Sequence, residues 1–191
     1  MSNYECCGGV APIDSADLVH DRGEMIDYGL VLYPDPRLAA VASPVSTFDR
    51  DLTERAAGLA RTLQRVAAIG LAGPHVGLLE RIVVLRMEPG AAVQTYVNPI
   101  ITWSSAERVV HDEGSVSMPG IREGVERAAS IRLTYCDLDG VEHEATSDGF
   151  EAACLQHEVD QLDGIFWIER LSRLRRDRAR KRFAKLQRDA G

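Results

Sequence analysis

The chain is 191 residues long, 45% of them hydrophobic and 27% charged, and its formal net charge is −7. These values predict one soluble domain that buries its own core and exclude a small fold held together by disulfides. The sequence shows no secretory leader and no long apolar run, so we expect a cytoplasmic protein with reduced thiols and no membrane contact. The charge is uneven: residues 170–191 carry +8 and the remainder −15, which confines any polyanion contact to the tail.

The N-terminal part of the chain begins without a clear pattern. Residues 1–27 show no hydrophobic period and are expected to form a loosely ordered extension outside the domain. Leu30–Leu32 predicts a short strand. The prolines at positions 34, 36 and 44 predict that an extended, turn-rich segment follows on the surface of the core.

A helix, a loop and a strand follow. Apolar residues recur at intervals of three and four over residues 52–69, which predicts an amphipathic helix capped by Asp49 or Asp51. The segment GLAGPHVG at 70–77 contains three glycines and a proline, so it predicts a tight loop that exposes its backbone. Arg81–Met87 contains the apolar run IVVL at 82–85 and predicts a buried strand.

The middle of the chain predicts β structure. Thr95–Val97 and Ile100–Trp103 are strand candidates separated by Asn98-Pro99. Residues 111–121 are rich in Gly, Pro and Ser and predict a loop. Ile131–Cys136 and Val141–Ala145 flank a turn and predict a β-hairpin.

Two helices are predicted at the C-terminal end. The first covers roughly residues 148–162, capped by Ser147 and stopped by Gly164, and a short apolar strand follows it. The second covers residues 172–188 and carries a narrow apolar stripe between arginines, formed by Leu171, Leu174, Phe183 and Leu186.

The first of these helices carries the chemically informative residues. His157 and Gln161 are four residues apart, so they project from one helix face, and Glu158 stands about 100° around the axis. This is the layout of a metal-binding helix, H-E-x-x-H, with the second imidazole replaced by a carboxamide. Because the same face also carries Phe150 and Cys154, the polar pair must be hydrogen-bonded or functional.

Three separated stretches resemble the three motifs of the peptide deformylase family. GLAGPHVG at 70–77 resembles GLAAPQVG, EGSVSMPG at 113–120 resembles EGCLSIPG, and QHEVDQLDG at 156–164 resembles QHEIDHLDG. Their order and spacing match as well, and the resemblance extends over residues 30–186. The chain is identified as a diverged member of this family, typical of bacterial proteins.

The resemblance implies an α+β fold in which antiparallel sheets pack around the motif-three helix, followed by a C-terminal helix. It implies a deformylase-like domain over residues 28–172, with residues 173–191 as a basic helix of the same domain. Family members hydrolyse the formyl group from N-formylmethionyl peptides. A ferrous or zinc ion held by one cysteine and two histidines activates water, a glutamate moves the proton, and a glutamine and a backbone N–H stabilise the oxyanion.

Three of the corresponding side chains differ in this sequence. Ser115 stands where the family has its ligand cysteine, Gln161 where it has the second ligand histidine, and His75 where it has the oxyanion glutamine. A neutral hydroxyl and a carboxamide are much poorer ligands than a thiolate and an imidazole, so we do not expect the standard metal centre. The remaining positions match: His157 as ligand, Glu158 as proton carrier, Val116 as backbone donor, and Gly70 and Leu71 as substrate-lining residues.

Three interpretations remain open. In the first, a divalent metal (Fe, Zn or Ni) binds a rebuilt set of His75, His157 and Gln161, with Glu158 as the proton carrier. In the second, the site is catalytic without metal, His157 or His75 is the general base, and Ser115 is the nucleophile or a substrate contact. In the third, the protein is an inactive homologue that only binds.

We favour a repurposed amide hydrolase of specialised metabolism that processes a small acyl, formyl or peptide-like substrate. Its catalytic candidates are Glu158, His157, His75 and Ser115, and its substrate-binding candidates are Gly70, Leu71, Val116 and Gln161. We expect a monomer. The basic helix at 173–188 predicts at most weak, salt-sensitive contact with the ribosome or another polyanion.

Overall fold

The computed structural model describes residues 27–189, so the predicted N-terminal extension at 1–27 lies, apart from Asp27, outside the described residues. The helices of this part are α1 (Arg50–Arg65), α2 (Gly149–Leu162) and α3 (Arg173–Asp189). Its strands are β1 (Gly70–Ala72), β2 (Ile82–Leu85), β3 (Gln94–Ser104), β4 (Arg108–Gly114), β5 (Arg122–Ala128), β6 (Ser130–Cys136) and β7 (Glu142–Asp148). Short 3-10 turns cover Pro36–Ala39, Gly73–Val76 and Trp167–Arg170.

The strands form two antiparallel sheets around α2. The larger sheet has the order β1-β2-β3-β6-β7, and β4 pairs with β5 in a separate two-stranded sheet. Helix α2 contacts all seven strands. This confirms the predicted α+β architecture with a central motif helix and a C-terminal helix.

Helix α1 forms where its apolar period predicted it. Leu52, Ala56, Leu59 and Leu63 are buried on one face, and the Asp49 side chain caps the first turn by accepting the Leu52 N–H at 2.9 Å. The helix ends at Arg65 rather than at residue 69. The reason is local: Ala67 has a φ of 52°, which a continuing helix excludes.

Several predicted boundaries were wrong. Leu30–Leu32 forms no strand; its middle residue, Val31, donates instead to the carbonyl of His75 at 2.8 Å. The segment after Gly164 is a 3-10 turn at Trp167–Arg170 and contains no strand. Ser147 belongs to β7, and Asp148 occupies the N-cap position of α2 without a side-chain cap bond.

Other corrections concern strands. The segment at 70–77 begins as strand β1 before its 3-10 turn. The two candidates around Asn98 are one strand, β3, with a bulge where Asn98 adopts a φ of 52° and its side chain bonds Val45. The sheet of β4 and β5 was missed, because both strands carry charged residues and β4 is largely exposed, so neither shows a clean alternation. The predicted hairpin is confirmed as β6 and β7.

Helix α3 is docked by part of its predicted stripe. Leu171 and Phe183 are buried, and they pack in one cluster with Met118 of motif two and Trp167. Leu174 and Leu186 are exposed, so the stripe is narrower than predicted. Over residues 27–189 we find no helix long and apolar enough to span a membrane.

Candidate active site

The three motifs meet at a cavity of about 420 Å³. Its polar lining has two main parts, His157 and Glu158 on α2, and His75 and Ser115 in the loops that follow β1 and β4. The lining also includes Val116 and the charged residues Asp112, Glu113 and Arg122. Gly70 allows this arrangement, because a Cβ at that position would lie 2.5 Å from Glu158 Oε1. The remaining wall is mainly apolar and includes Ala67, Ala68, Ile69, Ile121, Phe150, Ala153 and Cys154.

His75 is a neutral hydrogen-bond donor in this cavity. It lies in the 3-10 turn after β1 and is 1% exposed. Burial and the neighbouring His157 lower its pKa to about 3, so the ring is uncharged at neutral pH. The Ala72 N–H donates to Nδ1 at 3.1 Å, which places the single ring proton on Nε2.

Ser115 accepts a hydrogen bond from this Nε2–H group. Its Oγ lies 3.4 Å from His75 Nε2 and also accepts the Ser117 N–H at 3.1 Å. Since His75 Nε2 carries a hydrogen, it cannot remove the proton of the serine hydroxyl. The Ser115 O–H is therefore a donor for a group in the cavity and is not activated as a nucleophile by His75.

His157 is held by a carboxylate that the sequence analysis did not identify. Its Nδ1 lies 2.9 Å from Oε2 of Glu113. Arg127 donates to both oxygens of this carboxylate, at 2.8 Å to Oε1 and at 2.9 Å to Oε2. Burial raises the pKa of Glu113, but the bonds from Arg127 and His157 outweigh it and bring the pKa to about 2. The ionised Glu113 thus accepts Nδ1–H and leaves Nε2 of His157 for chemistry.

The same neighbours act on His157 itself. Burial lowers its pKa, but the hydrogen bond to Glu113 and the negative charges of Glu158 and Glu113 outweigh burial, so the net shift is upward. Glu113 stands at the start of the segment EGSVSMPG, which was the available signal for it. No pattern in the sequence identified Arg127, whose guanidinium is also buried and bonds Asp160.

Glu158 is a buried carboxyl group that lacks a full set of partners. It is 4% exposed, and its Oε2 has no hydrogen-bond partner among the described residues. Nδ1 of His75 lies 3.6 Å from this oxygen, but it accepts the Ala72 N–H and has no hydrogen to donate. Burial raises the pKa of Glu158 to about 7, which suits an acid or base at neutral pH.

Two predicted substrate-binding residues lie behind the cavity. Gln161 is 1% exposed, and its Nε2 donates to the Leu38 carbonyl at 2.7 Å. Leu71 is buried in β1 opposite Val84. Neither side chain lines the cavity, so their positions support a packing role, whereas Gly70 and Val116 do line it.

The residues present do not fit the metal centre that the family normally uses. The Gln161 amide faces Leu38, and a metal on Nε2 of His75 would require the proton at Nδ1, where the Ala72 N–H now donates. Ser115 supplies a neutral hydroxyl in place of a thiolate. Within residues 27–189, no group of three or more His, Cys, Asp or Glu side chains is arranged to hold a metal ion.

Comparison with known proteins gives the relationship. The family model for polypeptide deformylase matches residues 28–177. A peptide deformylase-like protein of Brucella melitensis is 54% identical over 159 residues, 83% of this chain and 97% of that protein. A peptide deformylase of Rhizobium meliloti is 38% identical, covering 85% and 95%. The crystal structure of a peptide deformylase from Legionella pneumophila superposes with a TM-score of 0.80 at 32% identity, covering 85% of this chain and 96% of that one. The chain therefore belongs to the polypeptide deformylase family.

Proposed function

We propose that the cavity hydrolyses a small formyl or acyl amide without a metal ion. One observation carries this proposal: Nε2 of the Glu113-bound His157 and the buried Glu158 carboxyl group, whose pKa is about 7, line the same cavity. Amide hydrolysis needs a base that activates water and an acid that protonates the leaving nitrogen, and His157 and Glu158 can fill these two roles. Family membership supports hydrolysis as the reaction class.

The reaction would begin with water bound between His157 and the substrate carbonyl carbon. Nε2 of His157 takes one proton of the water as its oxygen forms a bond to that carbon. The Ser115 O–H and the Val116 N–H donate to the carbonyl oxygen as negative charge develops on it. Glu113 stays ionised and stabilises the imidazolium that forms.

The second step breaks the C–N bond. Protonated Glu158 gives its proton to the leaving nitrogen, and the products are a carboxylic acid and an amine. The acid product gives its proton to solvent, and the extra proton on His157 returns to Glu158 by way of water, which restores the starting state. Water is thus the only co-reactant.

The apolar wall limits the substrate class. Ala67, Ile69, Phe150 and Ala153 offer space for one apolar side chain beside the reacting amide. Cys154 also lines this wall and acts as an apolar side chain. Burial and, after it, the charge of Glu158 raise the pKa of its thiol to about 12, so the thiol stays protonated. We therefore expect formyl or short acyl amides of apolar amines or amino acids as substrates.

The test uses two isosteric changes and two matched controls. Glu158→Gln and His157→Gln are assayed on a panel of formyl and short acyl amides, beside Glu144→Gln and His143→Gln, which lie outside the cavity on β7. The proposal requires that the first pair lose hydrolysis and that the controls keep it. Hydrolysis that survives in both site variants would refute the assignment.

A second candidate function is binding without hydrolysis. It is supported by the part of the cavity formed by His75 and Ser115. His75 and Ser115 form a neutral donor set that suits the recognition of a carbonyl group better than proton transfer. Calorimetry with a formyl amide separates the two functions. Tight binding of an intact ligand that is never cleaved would favour the binding function over the enzyme.

A further inference from the structure

The positions that hold a metal ion in related proteins are occupied here by side chains that hydrogen-bond to protein. As the family resemblance implies, a metal would join the motif-two turn to the motif-three helix. In this chain Gln161 of α2 bonds Leu38, and Ser115 bonds His75 and Ser117. The positions of metal ligands have thus become the positions of hydrogen-bond partners.

Residues 31–38, which we call the bridging segment, reach all three motifs. The Val31 N–H donates to the His75 carbonyl of motif one at 2.8 Å. The Tyr33 N–H donates to the Ser117 carbonyl of motif two at 2.8 Å. The Leu38 carbonyl accepts the amide of Gln161 in motif three at 2.7 Å.

The Gln161 contact is the buried end of this connection. Its amide is 1% exposed and Leu38 is equally buried, so neither partner can turn to water if the other is lost. An imidazole nitrogen that binds a metal carries no hydrogen and so could not make this bond. The carboxamide of Gln161 can donate at this position.

The second connection joins motif one to motif two. The Ala72 N–H fixes the tautomer of His75, His75 Nε2–H donates to Ser115 Oγ, and the same oxygen accepts the Ser117 N–H. Motif three enters this set through His157 and Glu113. Every link is a hydrogen bond between described residues, and none requires an ion.

We propose that Gln161, acting through Leu38, and the His75–Ser115 pair replace the metal ion as the cross-link between the three motifs. Gln161 is a positioning residue: it holds α2, and with it His157 and Glu158, against the bridging segment. The fold and the cavity are then independent of metal. This inference concerns how the site is held and does not depend on whether the proposed hydrolysis occurs.

The test measures the thermal midpoint and amide hydrogen exchange of the full chain with a chelator or with Zn²⁺. We expect the midpoint of the unaltered protein to stay within about 1 °C under both conditions. Gln161→Leu should lower it by about 5 °C and speed exchange in residues 31–42, because a buried carbonyl loses its donor. Gln64→Leu, an exposed glutamine at the end of α1, is the matched control and should change neither.

A restored ligand set provides the converse measurement. The double variant Ser115→Cys/Gln161→His should gain thermal midpoint with Zn²⁺ and lose that gain with chelator, as a protein that binds a ligand only when folded does. A chelator-sensitive midpoint in the unaltered protein would overturn the proposal. So would Gln161→Leu behaving like Gln64→Leu, or a double variant that folds but does not respond to Zn²⁺.

Discussion

The two polar walls of the cavity differ in what their side chains can do with a proton. On the α2 wall, the hydrogen bond to Glu113 helps to raise the pKa of His157, and burial raises that of Glu158 to about 7, so Glu158 can exchange a proton near neutral pH. On the wall formed by the loops after β1 and β4, His75 stays neutral, with its pKa lowered to about 3, and Ser115 accepts its hydrogen bond. The comparison separates a proton-transfer wall from a donor wall, although both contain a histidine beside a polar partner.

Arg127, which bonds Glu113 behind the proton-transfer wall, should give the largest change in stability. Arg127→Leu leaves Glu113 and Asp160 without their shared buried partner, so we expect a loss of about 3–5 kcal/mol in the free energy of unfolding. Chemical denaturation measures it. The exposed Arg132→Leu on β6 serves as the control and should stay within about 1 kcal/mol of the unaltered protein. A similarly small loss in Arg127→Leu would mean that the buried network does not support His157.

Glu158→Gln should lower hydrolysis by about 10³-fold while making the protein more stable at pH 8. The folded pKa of Glu158, about 7, is above its ordinary value of 4.5, so the folded state holds this proton more tightly than the unfolded state. Stability from this group is therefore full below about pH 4.5 and falls as the pH rises to about 7.

The Glu158→Gln variant should not show this decrease of the free energy of unfolding with rising pH, because its amide does not titrate. Between pH 4.5 and pH 8 the unaltered protein should lose about 2–3 kcal/mol relative to Glu158→Gln. Denaturant titrations at both pH values give the difference directly. Parallel pH dependences in the two proteins would show that Glu158 does not titrate as its burial predicts.

On the donor wall, Ser115→Ala should lower hydrolysis by about 10²-fold without abolishing it, because one of two oxyanion donors is lost. A serine nucleophile would instead give complete loss and a covalent acyl-enzyme. Rapid-mixing kinetics and mass spectrometry of the quenched protein distinguish these cases. An acylated Ser115 would contradict the assignment of this wall as donor only.

The three motifs predicted which side chains form the polar lining of the cavity: His75, Ser115, His157 and Glu158 all line it. The hydrogen-bond partners of these side chains could not be predicted, for physical reasons. The direction of the hydrogen bond between His75 and Ser115 depends on the Ala72 N–H, which no side-chain pattern reveals. Gln161 lies on α2 as predicted, but its amide donates to the carbonyl of Leu38, which is 123 positions away in the chain and could not be identified from the sequence.

Glu113 was not predicted as a site residue for a similar reason. Glu113 reaches Arg127 only because β4 and β5 pair in a sheet whose charged sequence gave no strand pattern. Helix periodicity, by contrast, predicted the buried face of α1, since burial of one apolar face determines that pattern, but it did not predict the end of the helix at Arg65. Local patterns thus predicted elements and motif positions, whereas the partners of buried charges required the tertiary structure.

The smallest effect concerns α3. We propose weak polyanion binding through Arg178, Lys181 and Lys185, which are exposed, whereas Arg175 and Arg182 are paired with Glu123. The logarithm of the binding constant for a model RNA duplex falls with the logarithm of the salt concentration. Changing the three residues to Glu should reduce the steepness of this fall by about 2–3. Deletion of the helix is a poor test, because Phe183 is part of the core. An unchanged slope would remove α3 as a contact surface.

Hydrolysis at this site should depend on one proton held by the His157–Glu158 pair and not on a metal ion. The most direct test is the pH dependence of kcat/KM for a formyl amide in the presence of a chelator. We expect a bell-shaped profile, because Glu158, with a pKa of about 7, must be protonated while His157, whose pKa is raised, must be neutral. Hydrolysis that appears only when a divalent metal is added, or none at any pH, would contradict it.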